Sequence, residues 1–328
     1  VSWLDDDPEA EAARQRARRN GADAAAAESI PLNCGKDFTL EKIEWLWPGW
    51  LAVGKLHLLA GAKATGKSTI TFDLAARLTS GSQWPDGLSA PQGDVVIWSG
   101  EDGIEDTILP RFVAAGGNLE RIYPIKYALE GGGRRPFDPS TDIPALIEAA
   151  ARLPELRLLT IDPVVLVLPA GSDSHKNTET RRGLQPLVEF AERRRVALLG
   201  VTHFTKGTAD RDPIERVTGS LAFGALPRIV WGASAADDSV QRRLVRIASN
   251  IGPTGGGFEY TLFQELLVGC DFSAQRVAWG AKLNGSPRDL LNAQKQTAEA
   301  KAAGSLRVAQ FKITAGVGLL PTPVQVIS

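Results

Sequence analysis

An α/β fold is the class this sequence predicts: a mostly parallel sheet flanked by helices, with an antiparallel extension toward the C-terminal end. Short apolar runs at 55–60, 94–99, 121–125, 156–161 and 196–202 alternate with loops and helix-like segments such as 67–78 and 178–194. Strands that are apolar almost throughout belong to sheets covered on both faces, and helical crossovers between them make neighbours parallel. After Gly224 the texture changes, because runs at 228–231, 243–248 and 258–263 are joined by turns instead of helices. Turn-joined strands pair antiparallel, which extends the same sheet. The chain contains no internal repeat.

Composition bounds the class further. The 328 residues are 43% hydrophobic and 23% charged, enough apolar content for a sizeable core. Gly 33 and Pro 20 follow no G-X-Y period, which excludes a collagen-like or linker-like chain. Lys+Arg 37 against Asp+Glu 38 leaves a net charge of -1, so any contact with nucleic acid must be local. Cys34 and Cys270 stand alone, without CxxC or nearby histidine at metal spacing, as inert reduced thiols do. No apolar run approaches the roughly 18 residues of a membrane span, and the first residues lack the basic and apolar regions of a signal peptide, so a cytoplasmic protein with no membrane partner is expected. Methionine is absent even at position 1, as in a processed or internal piece of a longer chain, or where a GTG start codon is written as Val.

Residues 1–40 form a charged N-terminal arm. An acidic cluster, Asp5, Asp6, Asp7, Glu9 and Glu11, precedes a basic one, Arg14, Arg16, Arg18 and Arg19, an order that complements a helix dipole. With few apolar residues the arm is either disordered or docked on a neighbour. One large domain is expected over 41–286, followed by a helical tail over 287–328.

The chemistry concentrates in Gly61-Ala62-Lys63-Ala64-Thr65-Gly66-Lys67-Ser68, which fits GxxxxGK[ST] after one predicted strand and at the start of a predicted helix. Backbone N–H groups of such a turn, with Thr69 opening the helix behind it, form a concave anion site. Lys67 is expected to reach the β- and γ-phosphates of ATP and Ser68 to ligate Mg²⁺. A second Mg²⁺ ligand is expected at the end of a neighbouring strand, and Leu158-Leu159-Thr160-Ile161-Asp162 ends in that carboxylate. Glu101 and Asp102 end another strand, where ligands of open α/β sheets bind; Glu101, with the longer reach, is the expected base for the attacking water. His203 ends a further apolar strand, in position to sense the γ-phosphate. Turn, helix-cap and core-histidine roles are the plain structural alternatives for Asp162, Glu101 and His203.

With these residues in order, the chain resembles the RecA-like ATPases, and among them the RepA-type hexameric replicative helicases of plasmids, phages and integrated elements. The resemblance covers about residues 45–265 and includes Thr202-His203-Phe204-Thr205-Lys206-Gly207, Gly219-Ser220 and Ser249-Asn250-Ile251-Gly252-Pro253. It implies a homo-hexamer or similar ring with ATP between protomers, Glu101 as catalytic glutamate and Arg228 as the arginine finger acting in trans. Arg111 matches a second arginine near the nucleotide. The resemblance also implies single-stranded DNA as a partner, with a replication initiator or primase beside it. Two departures stand out: relatives often carry Gly at Ala64 and Pro or Gly at Lys63, and a lysine at Ala248.

DNA contacts are expected from two loops, 171–183 with His175, Lys176, Arg181 and Arg182, and 206–218 with Lys206, Arg211 and Arg216. The leading expectation is a motor that translocates on or unwinds single-stranded DNA in replication of a mobile element. A nucleotide-controlled switch or loader without unwinding activity, and a degenerate nucleotide-binding module, are the alternatives.

Overall fold

The computed structural model describes residues 33–168, 177–205, 207–208, 211–217, 223, 226–235 and 240–291. The chain divides into two compact units, Val1–Lys42 and Ile43–Ser328. In the first, the described residues hold one 3₁₀ turn, Gly35–Asp37; residues 1–32 of the expected arm, with both charge clusters, lie outside the described residues.

The second unit is a single layered α/β structure. Its strands are β1 (Trp45–Trp47), β2 (Leu51–Ala52), β3 (Leu56–Gly61), β4 (Asp94–Ser99), β5 (Ile122–Pro124), β6 (Ala128–Glu130), β7 (Gly133–Arg135), β8 (Leu156–Asp162), β9 (Ala197–Val201), β10 (Ile229–Ala235), β11 (Arg242–Ser249), β12 (Gly257–Leu266) and β13 (Ser273–Leu283). The α-helices are α1 (Lys67–Ser80), α2 (Leu109–Ala114), α3 (Ile143–Ala150) and α4 (Asn177–Arg194). Nine strands form one sheet in the order β13-β12-β11-β10-β3-β9-β8-β4-β5. Every pair from β10 to β5 is parallel, and β11, β12 and β13 continue it antiparallel. This is the expected mostly parallel sheet with its antiparallel extension.

Period-two alternation explains why the central strands are apolar on both faces. Leu59, Val95, Ile97, Leu158 and Leu199 join a core with α1 and α2, while Leu58, Ala60, Val96, Leu159, Ile161 and Leu198 join a second core with α3 and α4. Trp47 stacks on Trp50 and Trp84 in the first core, at centroid distances of 4.9 and 5.2 Å. His57 is fully buried: Nε2 accepts from Ala52 N–H at 2.9 Å and Nδ1 faces Leu198 O at 3.3 Å, and burial pulls its pKa down to about 4. It is a neutral structural histidine tying β2 to β3 and β9.

Helix α1 runs two residues past the predicted end, because Gly81 at φ 68 supplies the left-handed cap whose N–H bonds Arg77 O. Several elements escape the sequence pattern. The β6–β7 hairpin turns on Gly131 and Gly132, both left-handed, and β13 mixes polar and apolar residues as an edge strand does. The domain boundary moves as well. Leu290 and Leu291 are buried in the second core and Arg243 Nη1 donates to Leu290 O at 3.0 Å, so the domain continues beyond 286; 292–328 lie outside the described residues. Among the described residues no helix is long and apolar enough to cross a membrane, and Cys34 and Cys270 are free and exposed.

The extension curls back over α1. Asp73 of α1, itself buried, accepts from Arg77 Nε at 2.7 Å and from Trp279 Nε1 of β13 at 2.8 Å. Asp73→Ala leaves the indole N–H and the guanidinium without that acceptor, and is expected to destabilise the fold by about 2–3 kcal/mol in chemical denaturation.

Candidate nucleotide-binding site

The site is assembled at the C-terminal ends of β3, β9, β8 and β4. Strand β3 ends at Gly61, where a Cβ would stand 2.5 Å from Ala233 O of the adjacent β10. Only glycine lets the two strands run side by side into the turn. The chain then reverses through two left-handed residues, Ala64 at φ 65 and Gly66 at φ 84, and enters α1. Thr65 Oγ1 donates to Ala62 O at 2.9 Å across the loop. Ile70 N–H bonds Gly66 O, so the first-turn N–H groups before it point at the loop without a helical acceptor.

Lys67 is buried, its Nζ held inside the loop by Gly61 O at 3.2 Å, Ala62 O at 3.0 Å and His203 Nδ1 at 3.3 Å. Burial lowers the pKa of the ammonium, and the charges of Asp162 and Glu101 oppose that. His203, one residue beyond Thr202 at the end of β9, is likewise pushed down by burial and then by Lys67, so its Nδ1 is a neutral acceptor for the ammonium. Ser68 Oγ donates to Asp162 Oδ2 at 2.7 Å. Asp162 is raised to about 6, first by burial, with Glu101 and Asp102 pushing the same way and Ser68 and Lys67 opposing.

Strand β4 delivers the remaining carboxylates. Gly100 N–H bonds Asp162 O at 2.8 Å, and the Ser99 hydroxyl accepts from the N–H groups of Glu101 and Asp102. Glu101 is exposed, yet its charge is felt by Lys67, Asp162 and His203. Asp102 faces Arg111 of α2 at 3.8 Å; burial raises its pKa and Arg111 counters. The expected neighbour relation of the Asp162 strand needs correction: β9 lies between β3 and β8, so Ser68 and Asp162 meet across the end of an intervening strand.

The arrangement fits a nucleotide and a hard cation. Ser68 and Asp162, side by side, could offer two oxygen ligands, and burial raises the pKa of Asp162, as for a carboxylate that would gain from a cation beside it. Among the described residues no group of three or more His, Cys, Asp or Glu forms a metal cage, so a divalent ion held by Ser68 and Asp162 would need further ligands.

A family model described as an AAA domain matches residues 23–209, more than half of the chain. The chain belongs to the AAA domain family. It is therefore a nucleotide-hydrolysing P-loop ATPase. No match is found among curated proteins.

Other expected site residues fall elsewhere. Arg228 precedes β10 and is exposed, its N–H on Leu56 O at 2.8 Å; the Asn250 side chain, oriented to satisfy both groups, meets Arg228 O and Nη1 at 3.2 Å. It sits at the start of the parallel strands, about 16 Å from its own phosphate loop at 3.3 Å per residue. Arg181 and Arg182, expected in a loop, lie in the first turns of α4, whose apolar positions Leu184 and Leu187 commit the segment to helix. Arg216 is buried on the turn Pro213–Arg216, with Nε on Arg211 O at 3.3 Å, so it is no exposed phosphate contact, whereas Arg211 is exposed. His175, Lys176 and Lys206 lie outside the described residues.

Residues the motif did not signal complete the site from β12 and β13. Tyr260 OH donates to Thr65 O at 2.6 Å, Leu262 covers Gly66, and Thr69 Oγ1 donates to Gln275 Oε1 at 3.1 Å. Only the antiparallel texture after Gly224 hinted that these strands mattered.

Ala64 carries a Cβ in the left-handed region at a cost of roughly 1–2 kcal/mol. Ala64→Gly removes that cost but loosens the unfolded chain, so stability is expected to stay equal or rise by up to about 1 kcal/mol, while Ala64→Val should lose at least that much; denaturant titration of both variants reads the sign. Asp162 titrates higher in the folded protein than its ordinary 3.8, so its ionisation costs stability as pH rises from about 4 through about 6. Without nucleotide, Asp162→Asn should therefore be more stable than the parent at pH 7–8, by on the order of 2–3 kcal/mol, and equal to it below pH 4. Thermal denaturation across that pH range checks the crossover.

Proposed function

We propose that this AAA-domain ATPase is a ring motor of the RepA-type hexameric replicative helicase kind, which uses Mg²⁺ and ATP to translocate on or unwind single-stranded DNA in replication of a mobile element. The observation that carries the reading is the separation of Arg228 from its own phosphate loop. An exposed arginine at the opposite end of the strands is too far to serve the nucleotide of its own loop, and a ring with nucleotide between protomers lets it serve the nucleotide of a second copy.

In this reading Lys67 binds the β- and γ-phosphate oxygens, and the N–H groups of 64–69 orient them. Ser68 and Asp162 hold Mg²⁺, which supplies charge neutralisation on the phosphates when bound. Glu101 accepts the proton of a water whose oxygen attacks the γ-phosphorus, and the bond to the β–γ bridging oxygen breaks to release ADP. His203 touches Lys67 and leads into the segment 206–218, so phosphate occupancy and the position of that segment are linked. Arg181, Arg182 and Arg211 are the exposed cations for DNA phosphates, with Lys176 and Lys206 beside them in sequence.

The switch or loader reading is favoured by the burial of Arg216 and the net charge of -1, which leave few cations for DNA. Steady-state ATPase with and without single-stranded DNA separates the two. The motor reading expects strong stimulation by DNA, and loss of it in Arg181→Ala/Arg182→Ala with basal turnover intact; slow, unstimulated turnover overturns it. Mixing Arg228→Ala with Lys67→Ala protomers should restore part of the activity, since some interfaces then combine an intact Lys67 with an intact Arg228. No recovery in stable mixed oligomers removes Arg228 from the mechanism.

A further inference from the structure

We propose that Tyr260 is a positioning residue of the nucleotide site, its hydroxyl setting the orientation of the Thr65–Gly66 peptide in the phosphate loop. The inference rests on the loop 61–68 being the nucleotide site of this ATPase.

The geometry is specific. Tyr260 lies on β12, outside the parallel core, and its hydroxyl donates to Thr65 O at 2.6 Å. A trans peptide is planar, with its C=O and the following N–H on opposite sides. Holding Thr65 O against β12 therefore turns Gly66 N–H away from β12. Rotation of this peptide is otherwise cheap, because the flanking residue is a glycine in the left-handed region with no Cβ to resist it. Leu262, two residues further along the same face of β12, closes over Gly66 so tightly that a Cβ there would stand 2.6 Å from its Cδ1. One strand thus fixes both the carbonyl before Gly66 and the space beside it.

Among the described residues the hydroxyl's hydrogen-bond partner is Thr65 O. Tyr260 is buried, and burial raises its pKa, so the group remains a neutral donor across the working range. The ring is held independently, packed with Trp279 at 5.8 Å, which itself donates to Asp73 of α1. Removing the oxygen alone is therefore a clean perturbation of the loop.

Tyr260→Phe keeps the ring and deletes the hydrogen bond. The expected result is a three- to tenfold rise in the Kd of a fluorescent ATP analogue and of its ADP counterpart, with KM for ATP rising in parallel and kcat within about twofold. A purely structural tyrosine would lower the melting temperature and leave Kd and KM where they were; that outcome overturns the proposal. A parent protein that binds no nucleotide at all would instead defeat the assignment of the loop 61–68, a distinguishable failure. A second measurement needs no substitution. The chain has three tyrosines, Tyr123, Tyr127 and Tyr260, and the first two are partly exposed, at 40% and 38%. Biosynthetic 3-fluorotyrosine then gives three fluorine resonances, and the solvent-shielded one should shift on titration with the ATP analogue while the other two stay. A shielded resonance that does not respond to saturating nucleotide counts against Tyr260 as surely as an unchanged Kd.

Discussion

A buried ammonium organises this molecule. An amine charge taken out of water is costly unless oxygen atoms and opposite charges surround it, and the ends of four parallel strands are arranged around that requirement at Lys67. Strand β3 contributes the carbonyls of Gly61 and Ala62, β9 leads to a neutral imidazole acceptor, and β8 and β4 bring Asp162 and Glu101 within electrostatic range. Burial, with Lys67 adding to it, pushes His203 down, and burial, with Glu101 and Asp102 adding to it, raises Asp162. The same concentration of unbalanced charge is what makes the strand ends a site for phosphate and a divalent cation.

The loop that carries Lys67 is not self-sufficient. It contains two left-handed residues, one of them an alanine, and a glycine pressed against a neighbouring strand. Support comes from the antiparallel strands, which follow the parallel core in sequence and curl back to reach Thr65, Gly66, Thr69 and Asp73. The nucleotide site is thus braced from one side by strands whose residues lie nearly 200 positions away in the chain. Strands β12 and β13 thus constrain the geometry of the phosphate loop.

Much of the site was legible without coordinates. GxxxxGK[ST] is a local motif, since its turn, anion-binding N–H groups and lysine lie within eight residues. Asp162, Glu101 and His203 were readable because an apolar run ending in a polar residue marks the end of a buried strand. The loops were harder: the predicted helix 178–194 and the predicted DNA loop 171–183 overlap at Arg181 and Arg182, which belong to α4, and Arg216 looks exposed until its turn is folded.

Sequence by itself therefore determined the fold class, the phosphate loop and the strand-end residues, because these depend on periodicity and on contacts close in the chain. Only the tertiary structure decided which strand separates Ser68 from Asp162, that Arg228 lies at the opposite end of the strands from its own loop, and that Tyr260 holds Thr65. Those facts follow from strand order and register, which are set by long-range packing of two cores against one sheet. Nothing in the residues flanking Tyr260 or Arg228 records it.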